Sequence, residues 1–468
     1  MATELISTPG FSDLPNELVM NIIECMPIEA PKDICNFSLT SRRMHMLALD
    51  HLYNHVLVSC PWPLVRTLLN DPELAARVHQ VTWKPDTDED YSSQNQKMLS
   101  SLLKSFKPVG LKRWSSKKQE PAVTWRHHEF MNFFLMSTPI VATLVIKDTH
   151  GWRDNVYWFG GNVSETGKLQ HLRSVHIHGP LCMEQTAHLF LLPSLRDITL
   201  IDLVQLERRT RDYVEWEKTI PLQTVLGPHM VSHVQNITLK RASVETQTLA
   251  YFTQACKDLK SFAYEHDVHN DLRNLHSPNL LAKMQTLASA LTRNRASLER
   301  LSIRGDHQML LQKHVLQVAR LASGMSVLRS LDMGLVTHDD DPERCTPDFV
   351  MELVRLLPPT LEELTIEMDW QEHWGSKGWE GPTDMLRYFA DIAPEKLQSL
   401  RRVAVVDWPP KLGCFPPDFA VLYQCFAEHG VHFASIPANI EGPDPLQMSD
   451  CIEPGWVFVM ATDVEWHY

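Results

Sequence analysis

The chain has few cysteines, no long apolar run, no excess of basic charge and none of the common catalytic signatures. Nine cysteines in 468 residues, an odd number with no C-x-x-C pair, supply neither a disulfide framework nor a thiolate metal set. Reduced, scattered thiols and a cytoplasmic and/or nuclear location are expected. The longest apolar runs, Phe133–Met136 and Val141–Ile146, fall far short of the roughly 18–20 residues of a membrane span, so no membrane is expected as a partner. The start, Met1-Ala-Thr-Glu-Leu-Ile-Ser, lacks the charged-then-apolar profile of a secretory signal. That leaves the sequons at Asn162 and Asn236 as chance matches. With 44 basic against 57 acidic residues, a net charge of −13, no nucleic acid is expected.

Walker A, the Rossmann glycine fingerprint, G-x-S-x-G and H-E-x-x-H are all missing. The 23 histidines give two dense ligand clusters, Glu265-His266-Asp267-Val268-His269-Asn270-Asp271 and His127-His128-Glu129. A metal-dependent enzyme using Glu265, His266 and His269 is kept as the less favoured alternative. The expectation is a non-catalytic chain with no cofactor and no metal ligands. Cys25 and Cys35 read as small core residues.

What is present is globular. Hydrophobic residues make up 44% and charged residues 22%, enough apolar material for a large core. The first sixty residues read as three short helices. Ser12 or Asp13 is placed to cap the first and Pro15 suits its first turn. Leu18, Ile22, Ile23 and Met26 form its apolar stripe. Pro27 and Pro31 break the pattern. Asp33 is placed to cap a second helix carrying Ile34, Phe37 and Leu39. Ser41 restarts a third, with Met44, Leu47 and Ala48 on one side. So small a unit is completed by a partner or by the following domain.

The string Leu14-Pro15-Asn16-Glu17-Leu18, then Ile22-Ile23, Asp33-Ile34 and Phe37-Ser38-Leu39-Thr40-Ser41-Arg42-Arg43, resembles an F-box, whose pattern opens LPxEL. Met44 stands where an aromatic is common, and the turn at residues 27–32 looks long. The resemblance implies docking onto the Skp-type adaptor of a Skp–cullin–F-box ubiquitin ligase and, through it, a cullin scaffold. It places Leu14, Pro15 and Leu18 at that interface, with Ile22, Ile34 and Leu39 as helpers.

Beyond this unit the pattern L-x-x-L-x-L recurs, with any aliphatic or aromatic residue at the L positions. The instances begin at Val78, Val141, Leu172, Leu195, Val234, Leu259, Leu298, Leu328, Leu361 and Leu400. Steps run from 23 residues (Leu172 to Leu195) to 39 (Leu361 to Leu400). The last two apolar positions alternate as in a strand. Helical patterns follow at Glu184–Leu192, Thr246–Cys256, Ala282–Leu291, Leu310–Ala322, Pro347–Leu357, Thr383–Ile392 and Asp418–His429. The region resembles an irregular leucine-rich-repeat horseshoe, parallel strands inside and helices outside, although the usual Asn after the third apolar position is absent. The expected fold is therefore α/β: a flexible N-terminus at 1–9, an F-box at 10–56, a solenoid at 57–440 with a charged insertion near 86–128, and a tail at 441–468.

In such a repeat the residues just after the third apolar position line the concave face. Lys147, His178, Lys240, Glu265, Arg304 and Glu367 occupy those positions with mixed signs, which suits a protein substrate. A Gly-rich loop at 369–382 adds Trp374 and Trp379 as candidate hot spots. The resemblance as a whole implies a substrate-recognition subunit that acts by proximity. The alternative is a scaffold that uses the F-box only for adaptor binding.

Overall fold

The computed structural model describes residues 11, 14–26, 31–58, 61–83, 134, 135, 137–147, 169–204, 227, 230–242, 244, 246–266, 280–304, 312–335, 347–368, 382–407 and 419–437. The first three helices are α1 (Asn16–Glu24), α2 (Pro31–Ser38) and α3 (Arg42–Asn54). Pro15 lies just ahead of α1 with no side-chain cap, where a residue of fixed φ marks the boundary. Asp33 does not cap α2, because that helix already begins at Pro31. Pro31 fits there since the first helical N–H has no intrahelical partner. Ser41 does cap α3: extended in backbone, it accepts the Met44 N–H at 3.1 Å.

The core of this unit is Val19 and Ile23 from α1, Ile34 from α2, and Met44 and Ala48 from α3. Both same-helix pairs are four residues apart, so each lies on one face. The buried stripe of α1 thus runs one residue later than the sequence suggests, leaving Leu18 and Ile22 outside it. Cys25 and Cys35 are likewise exposed rather than part of the core.

No linker separates the helical unit from the sheet. α3 ends at Asn54 and strand β1 (His55–Val58) begins at the next residue. Leu52 packs on the helical core and Tyr53 on the next one. Asp50 pairs with Arg77, and the Asn54 carbonyl accepts the His79 N–H at 3.0 Å.

β1 opens a parallel sheet whose strands, among the described residues, lie side by side in chain order. The others are β2 (Gln80–Trp83), β3 (Thr143–Ile146), β4 (Ser174–Cys182), β5 (Asp197–Val204), β6 (Asn236–Ala242), β7 (Ser261–His266), β8 (Arg300–Arg304), β9 (Ser330–Leu335), β10 (Glu363–Met368), β11 (Arg402–Asp407) and β12 (His432–Pro437). Parallel neighbours need a crossover, and from β6 onward helices supply it: α4 (Thr246–Ala255), α5 (Leu280–Leu291), α6 (Gln312–Ser323), α7 (Pro347–Leu356), α8 (Pro382–Lys396) and α9 (Phe419–Glu428). The helical segment expected at Glu184–Leu192 is a short helix at Met183–Thr186 followed by a 3-10 turn at Ala187–Leu191.

The repeat pattern becomes rows across the sheet. Leu144 pairs with Val175, and the row continues through Ile198, Ile237, Phe262, Leu301, Leu331, Leu364 and Val403 to Phe433. None of these side chains is more than 2% exposed. Each contributes about 1.5–3 kcal/mol by leaving water. Backbone bonds repeat with the same regularity. The Ala142 carbonyl accepts both Arg173 N (2.7 Å) and Ser174 N (3.0 Å), and the carbonyls of Arg173, Arg196, Gln235, Lys260, Glu299, Arg329 and Glu362 each accept two N–H groups from the next repeat in the same way. These shared acceptors carry the ladder through turns that lack the customary Asn. The architecture is α/β, three helices followed by a parallel-strand solenoid of leucine-rich-repeat type.

Candidate functional site

Two surfaces stand out, one on the helical unit and one on the sheet. On the helical unit, large apolar side chains remain in water: Phe11, Leu18, Ile22, Met46 and, at 80% exposure, Leu39. Leu18 and Ile22 lie one turn apart on α1, away from the buried face. Pro15 is exposed and Leu14 is partly buried. Because five other residues already fill the core, the exposed set is not needed to hold the helices together. Arg43 on α3 fixes the start of α1: its Nε donates to Asn16 Oδ1 at 2.9 Å and its Nη2 to the Leu14 carbonyl. Ile34 sits differently from Leu18 and Ile22. At 3% exposure it belongs to the core of the helical unit.

On the sheet, side chains alternate. The apolar rows face the helices, and the opposite, concave face carries the intervening positions. Arg304 on β8 makes close bonds to Asp332 on β9, with Nη2 2.7 Å and Nε 2.9 Å from Oδ2. Ser302 Oγ donates to the same oxygen at 3.0 Å, and Glu367 Oε2 lies 3.9 Å from Arg304 Nε. Asp332 and Glu367 are buried, at 5% and 7% exposure. Burial by itself lowers the Arg304 pKa, but Asp332 more than reverses this and the guanidinium stays charged. Burial pushes the Glu265 carboxyl up, and Arg304, Lys240 and Arg241 offset part of that. Arg304 and Glu367, read from the sequence as substrate contacts, are therefore chiefly an internal charge cluster.

Toward the helical unit the face changes character. Lys147 is exposed, and His178 and Lys240 are half-buried. The backbone bulges after His178 on β4 and after Leu239 on β6. Asp202 and Arg241 occupy left-handed backbone there (φ 60° and 46°). Arg241 Nε lies 2.6 Å from Asp202 Oδ1, its Nη2 3.0 Å from Oδ2 and 2.9 Å from His178 Nε2. Burial, then Lys240, His178 and Lys147, holds the His176 pKa below its ordinary value.

Asp332, Asp202, Arg241, Phe11 and Met46 escaped sequence reading. Asp332 was legible in principle: it is the middle residue of Leu331-Asp332-Met333, on the same strand face as the position two residues later. Arg241 lies within the β6 bulge and Asp202 opposite the β4 bulge, and no short pattern announces a bulge. Trp374, Trp379, the 86–128 insertion, the His127 cluster and the residue ranges 1–10 and 438–468 lie outside the described residues. So does His269. Glu265 and His266 are successive strand residues and thus point to opposite faces, with His266 Nδ1 2.9 Å from Tyr264 Oη. Among the described residues no group of three potential ligands is arranged to hold a metal, and no helix is long and apolar enough to cross a membrane.

Comparison with known proteins bears on the helical unit. Residues 11–59 match the F-box-like family model. None of the curated proteins compared matches the chain. Among solved structures, the crystal structure of a TLR13–ssRNA13 complex aligns over 65% of this chain and 37% of its own, with 12% identity and a TM-score of 0.31. The chain thus spans little more than a third of that structure's length, and a score that low adds nothing to the strand ladder itself.

Proposed function

We propose that this chain, an F-box-like domain joined to a leucine-rich-repeat solenoid, is the substrate-recognition subunit of a Skp–cullin–F-box ubiquitin ligase. The observation that carries the reading is the set of apolar side chains, Leu18, Ile22 and Leu39, left in water by a family-matched unit whose core is already complete. Exposed apolar surface of this kind marks a protein interface. In this role Leu18, Ile22 and Leu39, with Pro15 and Leu14, meet a Skp-type adaptor that in turn engages a cullin. The solenoid holds a protein substrate. Chemistry belongs to other subunits, and the chain contributes proximity.

The continuity of α3 into β1 supports this. Asp50–Arg77, His79–Asn54 and the packing of Leu52 and Tyr53 on successive cores hold adaptor and substrate at a fixed relative position. A raised effective concentration then speeds transfer without a catalytic residue in this chain. Co-purification from cells tests the reading. Adaptor and cullin recovered together support a ligase. Adaptor without cullin supports the scaffold alternative, and recovery of neither contradicts both.

A further inference from the structure

The two ends of the strand ladder differ. β1 grows directly out of α3, whereas β12 is the last strand among the described residues. His432 donates to the Arg401 carbonyl at 2.8 Å, on the β11 side. In a parallel strand the backbone groups of successive residues point to alternate sides. Phe433 and Ser435 therefore direct their N–H groups away from β11, to an edge that pairs with no strand among the described residues. Such an edge is a template for strand addition. The side chain beside it is apolar as well. Tyr423 on α9 is 46% exposed, and its ring stands edge-on to Phe433 with centroids 5.3 Å apart. The last repeat of a solenoid needs a polar outer face or a cap, and an exposed aromatic ring beside an open edge is no polar face.

The chain continues past Pro437 through residues 438–468, outside the described ones. Within them, Trp456-Val457-Phe458-Val459-Met460 carries no charge and consists mostly of residue types that favour strands. Trp456 follows His432 by 24 residues, close to the 23-residue step from Leu172 to Leu195. Extended, the intervening residues 438–455 reach about 60 Å, against about 20 Å for the length of β12. They suffice for a parallel return, which takes a dozen residues or more, and far exceed a hairpin loop.

We propose that residues 456–460 dock on the outer edge of β12 as a further parallel strand and cap the solenoid beside Tyr423. Phe433 and Ser435 then gain backbone partners, and the aromatic side chains of the segment cover Tyr423. Because it belongs to the same chain, the segment meets the edge at a high effective concentration and takes it ahead of a second copy. The cap closes an edge that otherwise pairs between molecules. The inference stands apart from the ligase reading and does not depend on it.

The test is residue-resolved hydrogen exchange of the full chain. In wild type the Phe433 and Ser435 amides are expected to exchange slowly, at a rate independent of protein concentration. Val457→Pro/Phe458→Pro removes two successive N–H groups, one of which faces β12 in either register. It should accelerate exchange of both amides by at least about tenfold. Gln447→Pro/Met448→Pro makes the same change outside the segment and should leave them within about twofold. Exchange in β3–β5, measured on the same variants, is expected to be unchanged, which separates loss of the cap from general unfolding. Fast exchange of the two amides in wild type, equal rates in wild type and Val457→Pro/Phe458→Pro, or equal acceleration by both proline pairs overturns the inference. So does protection that appears only as concentration rises, the mark of a second copy on the edge.

Discussion

Arg304 and Asp332, on adjacent strands, meet through two nitrogens of one guanidinium and a single carboxylate oxygen, at 2.7 and 2.9 Å. Asp332 Oδ1 is buried with no hydrogen-bond partner among the described residues. Arg304 is thus the charge on which Asp332 depends, and Glu367 and Glu265 lean on it as well. Removing it leaves several carboxylates uncompensated. Arg304→Met is expected to cost about 3–5 kcal/mol and Asp332→Asn less. Arg304→Met/Asp332→Leu should recover part of the loss, because two apolar groups leave neither charge stranded. Urea unfolding of the three variants checks the order. A double variant less stable than Arg304→Met contradicts it.

Stability in a solenoid is shared between neighbours. Leu301 is 2% exposed and stands between Phe262 and Leu331 in the central row. Leu301→Ala should cost about 2–5 kcal/mol. The loss should show as faster hydrogen exchange in β7, β8 and β9, with the helical unit unchanged. Uniform acceleration along the whole chain contradicts local coupling.

The helical unit has its own controls. Ser41→Ala should remove about 1 kcal/mol through loss of the Met44 N–H cap. Arg43→Met releases the Leu14 carbonyl and Asn16 side chain. It should weaken adaptor binding while leaving solenoid exchange rates as they were. Unaltered adaptor binding argues against Arg43 as the residue that positions α1.

Two concave-face groups set opposite pH trends. The folded His176 pKa lies below its unfolded value, first through burial and then through Lys240, His178 and Lys147. The unfolded chain therefore binds the proton first, so His176 favours folding fully above about pH 6.5 and loses that contribution as pH falls below it. The folded Glu265 pKa is raised, first by burial. Its ionisation opposes folding above that raised value, and the penalty disappears as pH falls toward the unfolded value near about 4.3. His176→Gln should flatten the stability profile near pH 6. Glu265→Gln should raise the melting temperature at neutral pH and lose that advantage in acid. A Glu265→Gln gain that persists at pH 4 contradicts this.

Much of the fold was legible because a repeat writes the same physics many times. Each L-x-x-L-x-L string from Val78 to Leu400 places its residues in the core, apart from Tyr264, which is partly buried against it, since alternation in a strand and burial on one face are a single constraint. β1 and β12 were missed for local reasons. His55-Val56-Leu57-Val58 abuts a helix without a turn, and in β12 Ser435 takes the third apolar place. On the functional side, the F-box pattern offered Leu18 and Ile22 as adaptor contacts, while helical spacing put them in one apolar stripe with Ile23 and Met26; the structure divides that stripe, leaving Leu18 and Ile22 exposed and burying Ile23. The one-residue shift to Val19 and Ile23 is set by packing against Ile34 and Met44, which spacing within a single helix does not encode. The isolation of Arg304 and Glu367 depends on Asp332, contributed from a strand about thirty residues away, as the repeat spacing dictates.

The central claim is that the exposed apolar residues of the F-box-like unit bind a Skp-type adaptor, and isothermal titration of that adaptor into the purified chain tests it most directly. Leu18→Glu/Leu39→Glu alters two side chains that are 48% and 80% exposed and should leave the melt unchanged. Wild type is expected to bind with measurable heat, and the double variant at least about tenfold more weakly. Equal affinity for both proteins, or no binding by folded wild type, contradicts the account.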